Sequence, residues 1–312
     1  MSEFGFIESI KRSFASIPAH GFEGIGDDCA VLLVSDGEAL VFTADVLMEG
    51  VHFLRSAAAA AEIGRKSLAV NLSDVAAMGA EPVASLLSLA LPADAAGEWA
   101  DGFMEGYREM SERYGVPLVG GDTSASKSGV AISVTAIGRV RSEHIKRRSA
   151  ARAGDAVMVC GELGASAEGL RDILAGRTDT ENARTHKNPE PQVREGAWLG
   201  RRAEVHAMMD LSDGLASDLG HILKDSGVGA RIETECIPAV SDIGTAVCGG
   251  EDYKLLFTVA ADKAAGLADD FAAEFGCRPS VVGHIVASEE PRIEWTEGGR
   301  TIRPAWRGFS HF

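Results

Sequence analysis

Apolar and polar positions along the chain alternate between two periods, and each switch marks an element. Over 4–17, Phe6, Ile7, Ile10 and Phe14 recur at helical spacing and predict an opening helix. Strand-like runs follow at AVLLV (30–34) and ALVFTAD (39–45), divided by the turn signal Ser35-Asp36-Gly37. A long helix is predicted over 58–79, with Ile63, Leu68, Leu72, Val75 and Ala76 on one face. Asp74 lies about 200° from Leu72 around that helix, away from the apolar stripe, with Asn71 one turn before it. A strand at VASLLSLAL, an amphipathic helix over 95–115 and strands at VPLVG and VAISVTAIGRV complete a first α/β unit.

The polar, basic and turn-rich stretch SEHIKRRSAARAGD then reads as a junction, giving domains at 1–142 and 143–312. Beyond it DAVMVCG opens a second unit. Helices are predicted near 164–175 and 192–203, a strand at MMDL and a helix through SDGLASDLGHILKDSG. KLLFTVA, a helix near 262–276 and SVVGHIV close it. Hairpin-like and crossover connections are mixed, which favours an α+β arrangement of two α/β domains over a regularly alternating parallel sheet.

Composition narrows the function. At 312 residues, 46% hydrophobic and 24% charged, the chain is long enough for two globular cores. A net charge of −16, from 30 basic and 46 acidic residues, argues against a nucleic-acid partner. It also repels free phosphate compounds, so an anionic substrate is expected to arrive with metal. Cys29, Cys160, Cys236, Cys248 and Cys277 form no CxxC pair and read as reduced thiols. MSEFGFIESIKRSF has no signal-peptide pattern, and the apolar run at PVASLLSLALP is too short to span a bilayer. A cytoplasmic protein with no membrane partner is expected.

The candidate chemistry lies in aspartates beside apolar segments: Asp27 and Asp28 in GIGDDCAVL, Asp45 in VFTAD, Asp74 in AVNLSD, Asp122 in LVGGD, Asp210 and Asp213 in MMDLSDG. If they converge, repulsion would force some to protonate unless a cation neutralises them, and hard oxygen ligands suit Mg²⁺. Thr43 and Asp45 fall on one side of their strand. Gly120-Gly121 permits close backbone approach to a ligand. Ser212 and Asp213 stand where a helix begins, as caps or as a phosphate site. Glu251 in GGEDY is a substrate contact or a solvated turn acid, and His52 a packed or substrate-contacting side chain. No Gly-Lys pair exists, so the Walker A loop is excluded, and neither GxGxxG nor GxSxG is present.

In order along the chain, GIGDDCAVL, TADVLMEGVHF, SLAVNLSDVAAMGAEP, LSLALP, PLVGGDT, MMDLSDGLASDLGHIL, GGEDYKLLFTV and WRGFSHF resemble the thiamine-monophosphate kinase family. That family belongs to the ATP-binding superfamily of aminoimidazole ribonucleotide synthetase. The resemblance implies a homodimer formed through the N-terminal sheets, and transfer of the ATP γ-phosphoryl group to thiamine monophosphate, giving thiamine diphosphate. It assigns several Mg²⁺ ions to Asp28, Thr43, Asp45, Asp74, Asp122, Asp210 and Asp213. Contacts to ATP fall to Gly121, Asp122, Arg148 and Ser212, and the thiamine site to His52, Glu251 and Trp306; a K⁺ ion is also admitted. The chain departs from the family at Ala44, where a second hydroxyl residue is usual.

No general base is expected, because a phosphate monoester with a second pKa near ~6 is already mostly deprotonated at neutral pH. The alternatives are a sibling enzyme of the superfamily and a non-catalytic magnesium–nucleotide binder. Selenophosphate synthetase needs a reactive N-terminal Cys or selenocysteine and the hydrogenase-maturation protein a C-terminal Cys, and this chain begins MSEFGFIES and ends GFSHF.

Overall fold

The computed structural model describes residues 3–309. The first half holds helices α1 (Glu3–Phe14), α2 (Ala60–Ala77) and α3 (Glu98–Tyr114). Its strands are β1 (Phe22–Glu23), β2 (Ala30–Leu33), β3 (Glu38–Met48), β4 (Glu81–Leu91), β5 (Leu118–Ala125) and β6 (Ala131–Arg141). They form one mixed sheet in the order β1-β2-β3-β6-β4-β5. All neighbours are antiparallel except β4 and β5, which α3 joins as a crossover.

The two faces of this sheet differ. Ala39, Val41, Thr43 and Leu47 of β3 point inward and are buried, as are Ile132, Val134 and Ala136 of β6. The inner row through Asp45 runs to Val134, Leu87 and Gly121; the next row, Val46, Ser133, Ser88 and Asp122, lies on the outer face. Val46 and Met48 stay 52% and 40% exposed there. Because β2 pairs only with Ala39–Phe42, β3 has no described neighbour on that side from Thr43 onward. Thr43 and Asp45 therefore stand at an open edge.

Helix α2 is the hinge of the architecture. The predicted stripe is buried, but so are Lys66, Ser67, Asn71 and Ser73, because the helix has partners on both sides. One apolar cluster runs from Leu68 and Leu72 through Leu199 to Met158, Met208 and Phe257 in the second half. Close approach to α3 depends on glycine: a Cβ at Gly64 would sit 2.1 Å from the Phe103 carbonyl oxygen, and one at Gly106 1.9 Å from that of Ala61.

The second half begins with β7 (Asp155–Val159), α4 (Ala165–Leu174), α5 (Glu181–Lys187), α6 (Val193–Gly200), β8 (Val205–Asp210) and α7 (Leu215–Ser226). It continues with β9 (Gly229–Glu233), α8 (Ile243–Cys248), β10 (Leu255–Ala260), α9 (Ala264–Phe275), β11 (Ser280–Val286), β12 (Ile293–Glu297) and β13 (Arg300–Ile302). These seven strands order as β13-β12-β9-β11-β7-β10-β8, with β9 and β12 the parallel pair. Both faces of β7 are buried, which explains its unbroken apolar run. The α+β expectation holds. The short elements α5, α8, β9, β12 and β13 carry too little periodicity to be read from sequence. The opening helix forms, yet Phe6 and Phe14 on its apolar face are 48% and 60% exposed. No helix among the described residues is long and apolar enough to cross a membrane.

Candidate active site: a carboxylate cluster at the head of a cleft

Three segments bring carboxylates together. Asp28 precedes β2, Asp74 lies on α2 and Asp210 ends β8; one oxygen from each lies within 4.8 Å of the others. Thr43 donates to Asp74, and Ser73 donates to Asp210 at 2.5 Å. The Asp45 amide donates to Asn71 Oδ1 at 3.2 Å, which ties the open edge of β3 to α2. Arg148 reaches Asp28 with Nη2 at 2.5 Å, while its backbone amide donates to Asp27 at 2.9 Å. Asp27 thus holds the junction segment, and Asp28 faces the cluster.

Burial and mutual repulsion set the electrostatics. Burial, then the charge on Asp28, raises Asp45 to about 6 and Asp210 to about 7. Asp74 is pushed well above the ordinary value by burial, Asp45, Asp210 and Asp28. Asp28 is also raised, since burial outweighs Arg148. Four acids in this state are a cation site in want of charge compensation. Asp28 Oδ2 and Arg148 Nε are buried with no hydrogen-bond partner in the protein. The first is a lone pair left over for an ion and the second a donor left over for an anion. Hard oxygens with an orphaned acceptor fit Mg²⁺. Cys29 beside them is buried and its thiol is pushed far up by burial and the same acids, so it stays a thiol.

The cluster opens into a cleft of 640 Å³ lined by Asp45, Asp74, Ser212, Asp213, Glu251 and Tyr253, among others. Ser212 and Asp213 do not cap α7. The N-cap is Gly214, and the Asp218 carboxylate accepts from the amides of Asp213 and Gly214 at 3.1 and 3.0 Å. A smaller pocket of 240 Å³ adjoins, with His52, Lys66, His186 and Glu251 on one side and Phe53, Ile63, Leu170 and Ile173 on the other. Glu251 and Tyr253 both hold left-handed backbone, φ 63° and 49°, unusual for residues with a side chain.

Three of the expected positions, Asp122, Gly121 and Trp306, lie elsewhere. Asp122 sits on the outer face of the first sheet, and β3, β6, β4 and β5 lie side by side, so it is about 14 Å across the sheet from the β3 row. The close approach that Gly121 permits is to β4: a Cβ there would lie 1.8 Å from the Leu87 carbonyl oxygen. Trp306 does not line the cleft. Its ring packs edge-on against Trp295, centroids 5.0 Å apart, while the chain continues until the Phe309 amide donates to the Asp213 carbonyl at 3.0 Å. Phe309, like Tyr253, lines the cleft. Sequence reasoning also missed Lys66, His186, Ser73 and Tyr253. None has a local signal, since each meets its partners only through the fold.

Residues 26–140 match the AIR synthase related protein, N-terminal domain, and residues 152–296 the AIR synthase related protein, C-terminal domain. A thiamine-monophosphate kinase of Synechococcus elongatus is 36% identical over 329 residues, covering 100% of this chain and 98% of its own. The chain belongs to the thiamine-monophosphate kinase family. Among solved structures, that of the thiamine-monophosphate kinase from Stenotrophomonas maltophilia is 36% identical, with a TM-score of 0.75 over 94% of this chain and 97% of its own. The structure named AaThiL complexed with AMPPCP and TMP is 32% identical, with a TM-score of 0.84 over 100% of this chain and 97% of its own.

Proposed function

We propose that the protein transfers the γ-phosphoryl group of ATP to thiamine monophosphate, producing thiamine diphosphate and ADP. The observation that carries this reading is the continuity of the site. A carboxylate cluster suited to metal-bound phosphates leads without interruption into a pocket with apolar walls and one anchored carboxylate, Glu251. Such a site handles two phosphates at one end and an organic ring at the other.

Asp28, Thr43, Asp45, Asp74 and Asp210 would hold Mg²⁺, with Asp213 at the cleft available to a further ion. Bound there, the ions would supply charge neutralisation for the donor and acceptor phosphates. The chain's own groups do the rest. Arg148, with a buried and unpartnered Nε, offers a donor to a phosphate oxygen. Ser212 and Asp213 line the cleft where α7 begins, and His52 and Glu251 border the ring pocket. No side chain is required to take a proton, because the acceptor phosphate is already mostly deprotonated. Transfer is then direct, without a phosphoenzyme. A K⁺ ion is compatible with the charge of the site, and cytoplasmic residence with this chemistry.

We also infer a homodimer through the outer face of the first sheet. Exposed Val46 and Met48 on one flat face are what a second copy would cover. With the two-fold axis along the strands, β5 of one copy would lie over β3 of the other. Asp122 would then serve the partner's cluster, since its own lies behind the sheet.

The test is an ADP-release assay with magnesium and ATP, with and without thiamine monophosphate, and with the thiamine product identified by mass. Release that depends on the ester, with thiamine diphosphate formed, is expected. ATP binding with no ester-dependent release would identify a non-catalytic nucleotide binder and overturn the reading.

A further inference from the structure

Lys66 lies on α2, one residue before the SLAVNLSD segment. Its ammonium is almost wholly enclosed, with 3% side-chain exposure, although lysine is rarely buried without a purpose. It meets the two Glu251 oxygens at 3.0 and 3.1 Å and the His52 carbonyl at 3.4 Å. Lys66 comes from α2 and Glu251 from the turn between α8 and β10, so the pair spans the two halves. The same α2 carries Ser73 and Asp74, and the Glu251 amide donates to the Ser212 carbonyl at 2.7 Å. The carboxylate is therefore fixed relative to both ends of the site.

We propose that Lys66 is a positioning residue for the acceptor: it holds the Glu251 carboxylate, in its left-handed turn, at the boundary between the cleft and the apolar pocket. The proposal rests on the reading of thiamine monophosphate as acceptor. His186 completes the support, its Nδ1 lying 3.4 Å from Glu251 and 2.9 Å from the Ser166 hydroxyl. Burial, then Lys66, lowers His186 to about 4, so at neutral pH the ring is neutral. Burial, the largest single influence, would raise Glu251; Lys66, by charge and hydrogen bond, leads the groups that together outweigh it, His186 and His52 among them, and the carboxyl sits below its ordinary value. A paired carboxylate of this kind presents a fixed acceptor rather than an uncompensated charge. It thus suits a hydrogen-bond donor on the acceptor's ring system more than a bare cation. The phosphates are handled at the other end, so Lys66 governs binding of the ester rather than the transfer step.

The experiment uses the full chain and four variants, Lys66→Met, Lys66→Arg, Glu251→Gln and the double Lys66→Met/Glu251→Gln. Initial rates are measured against thiamine monophosphate at saturating ATP, and against ATP at saturating ester, with melting curves as the folding control. Lys66→Met is expected to raise KM for the ester about tenfold or more, with kcat and the KM for ATP changed less than about threefold. Lys66→Arg should recover most of the loss. The double variant, which buries no lone charge, should fold and match Glu251→Gln. Equal KM for wild type and Lys66→Met, a fall confined to kcat, or an Arg variant no better than Met would each overturn the proposal. So would a double variant clearly worse than Glu251→Gln, which decides the matter if Lys66→Met does not fold. A wild-type chain that does not phosphorylate the ester refutes the acceptor reading itself, and this proposal with it. Wild-type activity with unaffected Lys66 variants refutes the positioning role alone.

Discussion

Ser73 on α2 donates to Asp210 at the end of β8 across 2.5 Å, joining residues 137 apart in sequence. The bond does two things. It docks the central helix on the second sheet, and it favours the charged form of a carboxylate that burial pushes up to about 7.

Removing that donor should move the pH profile. In Ser73→Ala, Asp210 loses a hydrogen bond to its charged form, worth about 1.5 kcal/mol, or roughly one pH unit. The acid limb of kcat is expected to shift to higher pH by about that much, and the Mg²⁺ concentration for half activity to rise. A pH–rate series at several Mg²⁺ concentrations measures both; superimposable profiles would remove Ser73 from this role.

Stability should depend on pH in the direction opposite to ordinary acid unfolding. Asp45 and Asp210 titrate near 6 and 7 in the fold against 3.8 for an ordinary aspartate. Between about pH 4 and 7 the folded chain keeps protons that the unfolded chain has released, so stability falls as pH rises through that window. His186 and His221, both lowered to about 4, act in the opposite sense over the same range, so the cluster is isolated by difference. In chelator, Asp45→Asn should raise the melting temperature more at pH 8 than at pH 5, and added Mg²⁺ should stabilise the unaltered chain most at the higher pH, where the carboxylates are charged. An Asp45→Asn effect that is the same at both pH values would contradict the cluster's electrostatics.

Asp74→Asn should separate stability from activity. The amide keeps an acceptor for Thr43 but removes one of the converging charges, so the chelated protein is expected to gain about 1–2 kcal/mol in denaturant unfolding at pH 8. Turnover should fall by about a hundredfold or more, because a ligand is lost. Loss of both activity and stability would indicate instead that Asp74 is a structural acid.

Trp306 should act on stability and not on affinity. Its half-buried ring packs against Trp295, which is itself buried in the second core. Trp306→Ala should cost about 1–3 kcal/mol while KM for either substrate changes less than about twofold. Urea unfolding beside steady-state kinetics tests this. A tenfold rise in KM for the ester at unchanged stability would return Trp306 to the substrate side.

Some of the clustered residues were legible in the sequence and others were not, for physical reasons. Asp28 and Asp210 were legible because each flanks or ends a strand beside turn residues, where a carboxylate has few structural duties; Asp45, expected at a strand end, lies inside β3, which runs on to Met48, and was legible by sharing a face with Thr43. Asp74 was legible because it falls off the apolar stripe of a strongly periodic helix. Lys66 was not, since the partner that makes it meaningful is 185 positions away. Nor could the sequence show that α2 is enclosed on all sides, because that depends on the second half packing against it. Trp306 stands apart from the cleft because the final segment reaches it through backbone bonding at Phe309, with the indole packed on Trp295. Asp122 was grouped with the others by motif, and only the alternation of its strand shows that it faces the other way.

That alternation leads to a decisive mixing experiment. Val46, Ser133, Ser88 and Asp122 form one outer row, and Asp45 belongs to the inner one. If Asp122 serves the partner, Asp122→Asn and Asp74→Asn are each inactive as pure dimers but damage different sites when combined. A mixed dimer then contains one site with both substitutions and one with neither. Random exchange makes half of all dimers mixed, each with one of two sites intact, so an equal mixture should recover about a quarter of wild-type activity. If Asp122 acts on its own chain, every mixed site carries one lesion and no activity returns. Subunit exchange, followed by sedimentation to confirm dimers and then the ADP-release assay, distinguishes the two. Val46→Glu supplies the control, since a charge on that face should split the dimer and abolish recovery in the mixture.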